Sequence, residues 1–181
     1  MRSFFLLFLL FLGIISPAQI SVNNLLTENL KEPLGLGVPH PRFSWQLHSD
    51  ARNVMQTAYE IKLISDKKSV WNSGKVFSDA SVYVDYKGSP LLSDTKYSWQ
   101  VRVWDNKGKA SSWSAPAGFQ TGLFQTTEWT AKWIEPVTEL SNEMPCPLFR
   151  REFDLRKKIK SATAYITAHG IYEAFLNGKR I

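Results

Sequence analysis

The residues of this chain that could bind a metal, attack a bond or carry a proton are few: His40, His48 and His169, the single thiol Cys146, and sixteen carboxylates. The histidines show none of the short ligand spacings that seat a zinc ion, and one cysteine can form neither an internal disulfide nor a thiolate cluster. No Gly-x-Ser-x-Gly elbow occurs, so nothing anchors a nucleophilic triad. Glu60, Asp85 and Glu173 fall on strand-like stretches where a solvent-facing or edge role suffices, and no spacing brings two of them together as acid and base. No catalytic, cofactor-binding or metal-ligating residue is therefore assigned, and no cofactor is expected. Seven tryptophans are the other chemical resource, because an aromatic face stacks on a sugar ring. Trp45 and Trp99 share a face with apolar neighbours and read as core. Trp104 and Trp113 are placed to form a surface ladder with Arg102 through cation–π contact, and Trp129 and Trp133 read as a clasp between modules.

A length of 181 residues with 44% hydrophobic and 21% charged residues suits one or two small globular domains. The formal charge of +6 is moderate. The densest basic group, Arg150, Arg151, Arg156, Lys157, Lys158 and Lys160, is broken by Glu152 and Asp154, so it reads as a solvated face, and nucleic acid is not an expected partner. Arg2, the apolar stretch from Phe4 to Ile15, and Ser16-Pro17-Ala18 form a signal peptide over residues 1–18, cut before Gln19. The apolar run is too short to span a bilayer, and no cysteine stands at the cut to take a lipid. The expected destination is periplasmic or secreted, with no membrane association after cleavage.

Beyond Gln19 the apolar residues recur every second position between turns, which predicts short strands. Phe43, Trp45 and Leu47 alternate with Ser44, Gln46 and His48; Tyr59, Ile61 and Leu63 alternate with Glu60 and Lys62. Val82, Val84 and Tyr86 precede a turn at Gly88-Ser89-Pro90. Tyr97, Trp99, Val101 and Val103 precede another at Asp105-Asn106-Lys107-Gly108, and Asn72-Ser73-Gly74 is a third. With a last strand between Ser112 and Thr121, roughly seven strands result, the number of a two-sheet sandwich. The segment Leu91 to Tyr97 has the form of a tyrosine corner, in which a hydroxyl bonds back to upstream backbone while its ring stays in the core. A boundary falls near Gly122. Beyond a Pro-bearing loop, Phe149 and Phe153 flank a strand, Ala162, Ala164 and Ile166 alternate with Thr163, Tyr165 and Thr167, and Ile171 to Leu176 runs into the hairpin turn Asn177-Gly178. Three residues after that turn cannot complete a partner strand, which predicts that this second sandwich is truncated.

Taken in order, several segments carry a resemblance. They are Glu32-Pro33-Leu34-Gly35-Leu36, Pro41-Arg42-Phe43-Ser44-Trp45, Gln56-Thr57-Ala58-Tyr59-Glu60-Ile61, Trp71-Asn72-Ser73-Gly74-Lys75-Val76, and Tyr97 through Asp105. Phe119-Gln120-Thr121-Gly122, Ala131-Lys132-Trp133-Ile134, Phe149-Arg150-Arg151-Glu152-Phe153 and Gly170 through Gly178 come after them. Together they resemble the N-terminal region of bacterial α-L-rhamnosidases, glycoside hydrolase family 78. The resemblance implies an all-β chain: a fibronectin type III-like β-sandwich over 19–122, a linker over 123–147, and a truncated jelly-roll over 148–181. It further implies a helical barrel beyond Ile181, where two carboxylates remove terminal L-rhamnose with inversion. The fragment itself would be non-catalytic, and its partners would be rhamnose-containing glycans met through the missing barrel. Jelly-roll domains of this family can bind rhamnose, sometimes with calcium, but no ligand residues are assigned to this chain. The competing expectation is a stand-alone secreted adhesion or carbohydrate-binding β-sandwich, which the downstream reading frame would distinguish.

Overall fold

The computed structural model describes residues 20–136 and 146–181. The signal peptide read over 1–18 lies outside them, as does part of the linker read over 123–147. The described chain divides into two units, at Lys132 and Trp133.

In the first unit, stretches of alternating apolar residues make the two ten-residue strands. β1 is Ser21–Thr27, β2 Arg42–His48, β3 Gln56–Ser65, β4 Lys68–Asn72, β5 Val84–Asp85, β6 Lys96–Asp105 and β7 Ala117–Gln120. Along β6 every second residue is buried, Tyr97, Trp99, Val101 and Val103 pointing one way and Ser98, Gln100, Arg102 and Trp104 the other. The strands form two sheets, β1-β2-β5 and β4-β3-β6-β7, all paired antiparallel. β3 and β4 join through Asp66 and Lys67, both left-handed (φ 46° and 65°), the backbone a tight hairpin requires. The inner faces of the sheets meet in one core built on Phe43, Trp45, Ile61, Leu63, Trp99, Val101 and Val103. This is an all-β, immunoglobulin-like β-sandwich.

Two indoles cross the gap between the sheets. Trp99 on β6 donates its Nε1–H to Thr27 Oγ1 on β1 at 3.1 Å, and Trp45 on β2 donates to Gln56 Oε1 on β3 at 3.0 Å. Gln56 in turn donates to the carbonyls of Ser78 and Ala80. Buried polar atoms are costly unless paired, and these are paired. The tyrosine corner forms: the Leu92 amide donates to Tyr97 Oη at 3.0 Å while the ring stays buried. The turn after β6 closes on Asp105, whose Oδ1 accepts the amides of Lys107 and Lys109 at 2.9 and 2.8 Å. At Gly88 a Cβ would stand 2.3 Å from the Tyr86 hydroxyl, so only glycine lets that ring lie over the chain and donate to the Ser89 carbonyl.

Two stretches depart from the expected alternation. The stretch Val82 to Tyr86 yields only the two-residue β5, because Tyr83 turns left-handed (φ 51°) and leaves Val82 64% exposed. On β2 it is Ser44 that is buried and Leu47 that is exposed, since the Ser44 hydroxyl accepts the Tyr83 amide at 2.9 Å.

In the second unit, Trp133–Ile181, the described residues contain one hairpin, β8 Phe175–Leu176 with β9 Lys179–Arg180. Asn177 and Gly178 take the positive φ values (50° and 77°) expected of the Asn-Gly pair, and the Ile181 amide adds a bond to the Ala174 carbonyl. The stretches about Phe149–Phe153 and Ala162–Ile166, expected as strands, form none. Phe149, Phe153, Ile171 and Phe175 stay at least half exposed, and a two-stranded hairpin without a covering layer is marginal.

At the edge of the first unit, Arg42 and Glu28 form a forked pair. The Arg42 Nη2 and Nε and its own amide all donate to the Glu28 carboxylate, at 2.6 to 3.1 Å. The Arg42 side chain holds the Glu28 carboxyl below its ordinary value of 4.5. A depressed carboxyl stabilises the fold fully above its unfolded value and loses that contribution as pH falls through the folded one. The urea-midpoint gap between wild type and Glu28→Gln should therefore be open at neutral pH and narrow as pH falls below the ordinary carboxyl range; a constant gap would contradict the pairing. Amide exchange should be slowest in β2, β3 and β6 and fast from residue 148 onward, and uniform protection of both units would contradict the division.

Candidate functional site

On the outer face of the four-stranded sheet the sequence builds an alternation of cations and rings. The β3–β6 register sets Glu60 opposite Arg102, Lys62 opposite Gln100 and Ala58 opposite Trp104. Arg102 donates to Glu60 Oε2 through Nε at 2.8 Å and reaches it with Nη2 at 2.6 Å, while Asn72 Nδ2 donates to the other oxygen at 3.1 Å. The guanidinium lies 5.0 Å from the Trp104 ring centre and 4.9 Å from that of Trp113. Lys62 caps Trp113 at 4.2 Å, and Lys75 sits over Trp104 at 4.5 Å and Phe77 at 5.0 Å.

Trp113 is delivered by a segment that comes after β6 without being a regular strand. Ser111 and Ser114 donate their amides to the carbonyls of Val103 and Val101, and their hydroxyls accept the amides of the same two valines at 3.0 and 3.1 Å. Two serine side chains thus take the place of strand backbone, and the tryptophan between them is carried over the sheet. Cations sit over both indole rings, so the ladder is a charged stripe on the sheet.

The sequence placed Trp104, Trp113 and Arg102 in this ladder, and they meet there. Lys62, Lys75 and Phe77 were missed; the outward position of Lys62 on β3 was the one available signal. Trp45 and Trp99 are buried, as expected. Trp133 stacks on His169 inside the second unit, with centroids 4.2 Å apart, and the Trp129 amide donates to the Thr126 carbonyl. The other possible chemistry is dispersed. His40 lies near the Tyr86 ring at 6.0 Å and His48 Nε2 is 3.4 Å from an Asp50 oxygen. Glu60 is held by Arg102 on one sheet, Asp85 is on the other, and Glu173 pairs with Arg180 at 3.0 Å in the second unit. Arg150 pairs with Glu152, so the basic stretch is internally matched there. No group of three potential metal ligands gathers among the described residues.

A seven-stranded, two-sheet sandwich with a tyrosine corner defines an immunoglobulin-like domain. Its sequence matches the model of the Rha78A-like, N-terminal immunoglobulin domain over residues 22–125, and the chain belongs to that family. The chain is 39% identical over 180 residues to an alpha-L-rhamnosidase of Streptomyces avermitilis, and 34% over 170 residues to one of Formosa agariphila. These alignments take in 85% and 86% of this chain and 18% of each relative, so the chain spans under a fifth of the proteins it matches and is homologous to their N-terminal region. The crystal structure of the Streptomyces avermitilis alpha-L-rhamnosidase complexed with L-rhamnose superposes with a TM-score of 0.63 at 45% identity, covering 65% of this chain and 12% of that one. That of the Dictyoglumus thermophilum alpha-L-rhamnosidase gives 0.60 at 38% identity, covering 64% and 14%.

Arg102→Lys keeps the charge of the ladder but loses both the fork to Glu60 and the guanidinium's contacts with two indoles. It should cost about 1 kcal/mol of stability in urea unfolding, more than Lys62→Gln, which removes a single capping cation. Equal midpoints for wild type and Arg102→Lys would show that the ladder contributes nothing.

Proposed function

We propose that this chain is the exported, non-catalytic front of an α-L-rhamnosidase, with the bond-breaking acid and base carried by chain beyond Ile181. The observation that carries the reading is the alignment to alpha-L-rhamnosidases over most of this chain and under a fifth of theirs. The commitments within the domain agree with it: Glu60 is bound to Arg102 and Asn72, Trp45 and Trp99 lie in the core, and Trp104 and Trp113 in the ladder. In this reading the sandwich is fibronectin type III-like. The support is the position of β4, which joins β3 rather than the β1-β2-β5 sheet and so gives a three-plus-four division. The hairpin at Asn177 is the start of a jelly-roll whose exposed apolar side chains await further strands. Rhamnose-containing glycans are then met through a downstream helical barrel acting with inversion. The leader over 1–18 sends the protein to the periplasm or outside the cell.

The test is to express the chain and the complete gene product side by side with their leaders and assay both on an aryl α-L-rhamnoside. The chain should release no rhamnose, the complete protein should turn over, and the exported species should begin at Gln19 by mass. Turnover by the purified chain, or its absence from the complete protein, would overturn the reading.

A further inference from the structure

After β7 the chain should be free to become a loose linker, as the residues from 123 onward suggest. Instead the backbone is taken up residue by residue. The Thr121 amide donates to the Thr95 carbonyl at 3.0 Å and the Gly122 amide to the Leu36 carbonyl at 2.8 Å, while the Gly122 carbonyl accepts the Asp94 amide at 3.0 Å. Thr121 Oγ1 donates to the Leu92 carbonyl at 2.7 Å and accepts the Thr95 amide at 2.9 Å. A Cβ on Gly122 would lie 3.0 Å from the Gly35 carbonyl oxygen, so the two backbones touch.

Beyond that seam one carboxylate continues the hold. Glu128 Oε2 accepts the Ser93 hydroxyl at 2.8 Å, the Phe124 amide at 2.9 Å and the Gln125 amide at 2.7 Å. The Ser93 oxygen also accepts the Phe124 amide at 3.1 Å. The Glu128 amide returns a bond to the Gln125 carbonyl at 3.1 Å, closing the turn Thr126–Glu128. These donors, the Gln125 amide first and the Ser93 hydroxyl next, hold the Glu128 carboxyl below its ordinary range. Ser93 lies in the corner loop that Tyr97 fixes through the Leu92 amide.

We propose that Ser93 and Glu128 form a latch that welds residues 122–128 to the tyrosine-corner loop, so that the chain leaves the sandwich from a rigid joint and not from a flexible tether. Ser93 contributes the anchor on the body of the domain, and Glu128 gathers the Phe124 and Gln125 amides of the exit onto it. Neither residue belongs to the core or to the ladder, so the joint can be opened without unfolding the domain. The inference stands on this geometry alone and is independent of any domain encoded downstream.

The experiment is amide exchange and ¹⁵N relaxation on the full chain. In the wild type, residues 122–128 should have order parameters near the rigid-backbone value of about 0.85. Ser93→Ala and Glu128→Gln should each speed exchange at Phe124 and Gln125 by about tenfold and lower the order parameters there, with exchange in β3 and β6 unchanged. Ser93→Thr, which keeps the hydroxyl, should retain the wild-type pattern. Order parameters of a loose loop at Phe124 and Gln125 in the wild type would overturn the proposal, as would variants that leave those amides unaltered.

Discussion

The contact on which the sandwich depends is that of Trp99 with Phe43 and Thr27. Trp99 lies on β6, the strand that pairs with both β3 and β7, and it is fully buried. Its ring centre is 4.3 Å from that of Phe43 on β2, in the other sheet, and its indole N–H bonds Thr27 on β1. In antibody domains the position two residues after the corner tyrosine carries a cysteine of the inter-sheet disulfide. In this chain that position is Trp99, and the sole cysteine, Cys146, lies exposed elsewhere. An aromatic pair and an indole hydrogen bond do the work of the cross-link. Burying a ring of that size stabilises by up to about 4–6 kcal/mol, taking roughly 25 cal/mol per Å² over 150–250 Å² as an upper bound, which is comparable to a disulfide's few kcal/mol.

The remaining features derive from the period of the strand that carries it. Because β6 buries Tyr97, Trp99, Val101 and Val103, it must turn Ser98, Gln100, Arg102 and Trp104 outward. That fixes Arg102 opposite Glu60 and next to Trp104, and the serine-bonded segment after the Asp105 turn then brings Trp113 to the guanidinium as well. The corner has the same origin: Tyr97 begins the buried set, so its hydroxyl can reach only backward, to the loop bearing Ser93. Core, ladder and exit are three consequences of one register.

What could be read from the residues is what local pattern encodes. The alternation in β3 and β6, the corner at Tyr97, the Asn177-Gly178 hairpin and the meeting of Arg102 with Trp104 and Trp113 all come from short-range spacing, and they are found. What could not be read depends on a side chain meeting backbone far along the chain. Ser44 is buried because of Tyr83, and Val82 is exposed because Tyr83 turns left-handed, neither of which alternation registers. Ser93 and Glu128 are thirty-five positions apart, and nothing in either one's neighbours marks it as a partner. In the second unit the alternation at Ala162–Ile166 is present in the residues yet forms no strand among the described residues, because alternation marks a face and does not by itself set a ladder of backbone bonds.

The commitment of polar groups also decides where chemistry can reside. A group poised to react keeps a lone pair or a proton available to something other than its own fold. In this sandwich the polar side chains that strand geometry gathers are committed to the fold itself. Glu60 is bound by Arg102 and Asn72, Gln56 by Trp45 and two carbonyls, and Thr121 by Thr95 and Leu92. To free any of them from these bonds would leave a buried donor or acceptor unpaired, at a cost of about 1–3 kcal/mol for each. These groups hold the two sheets and the exit in register.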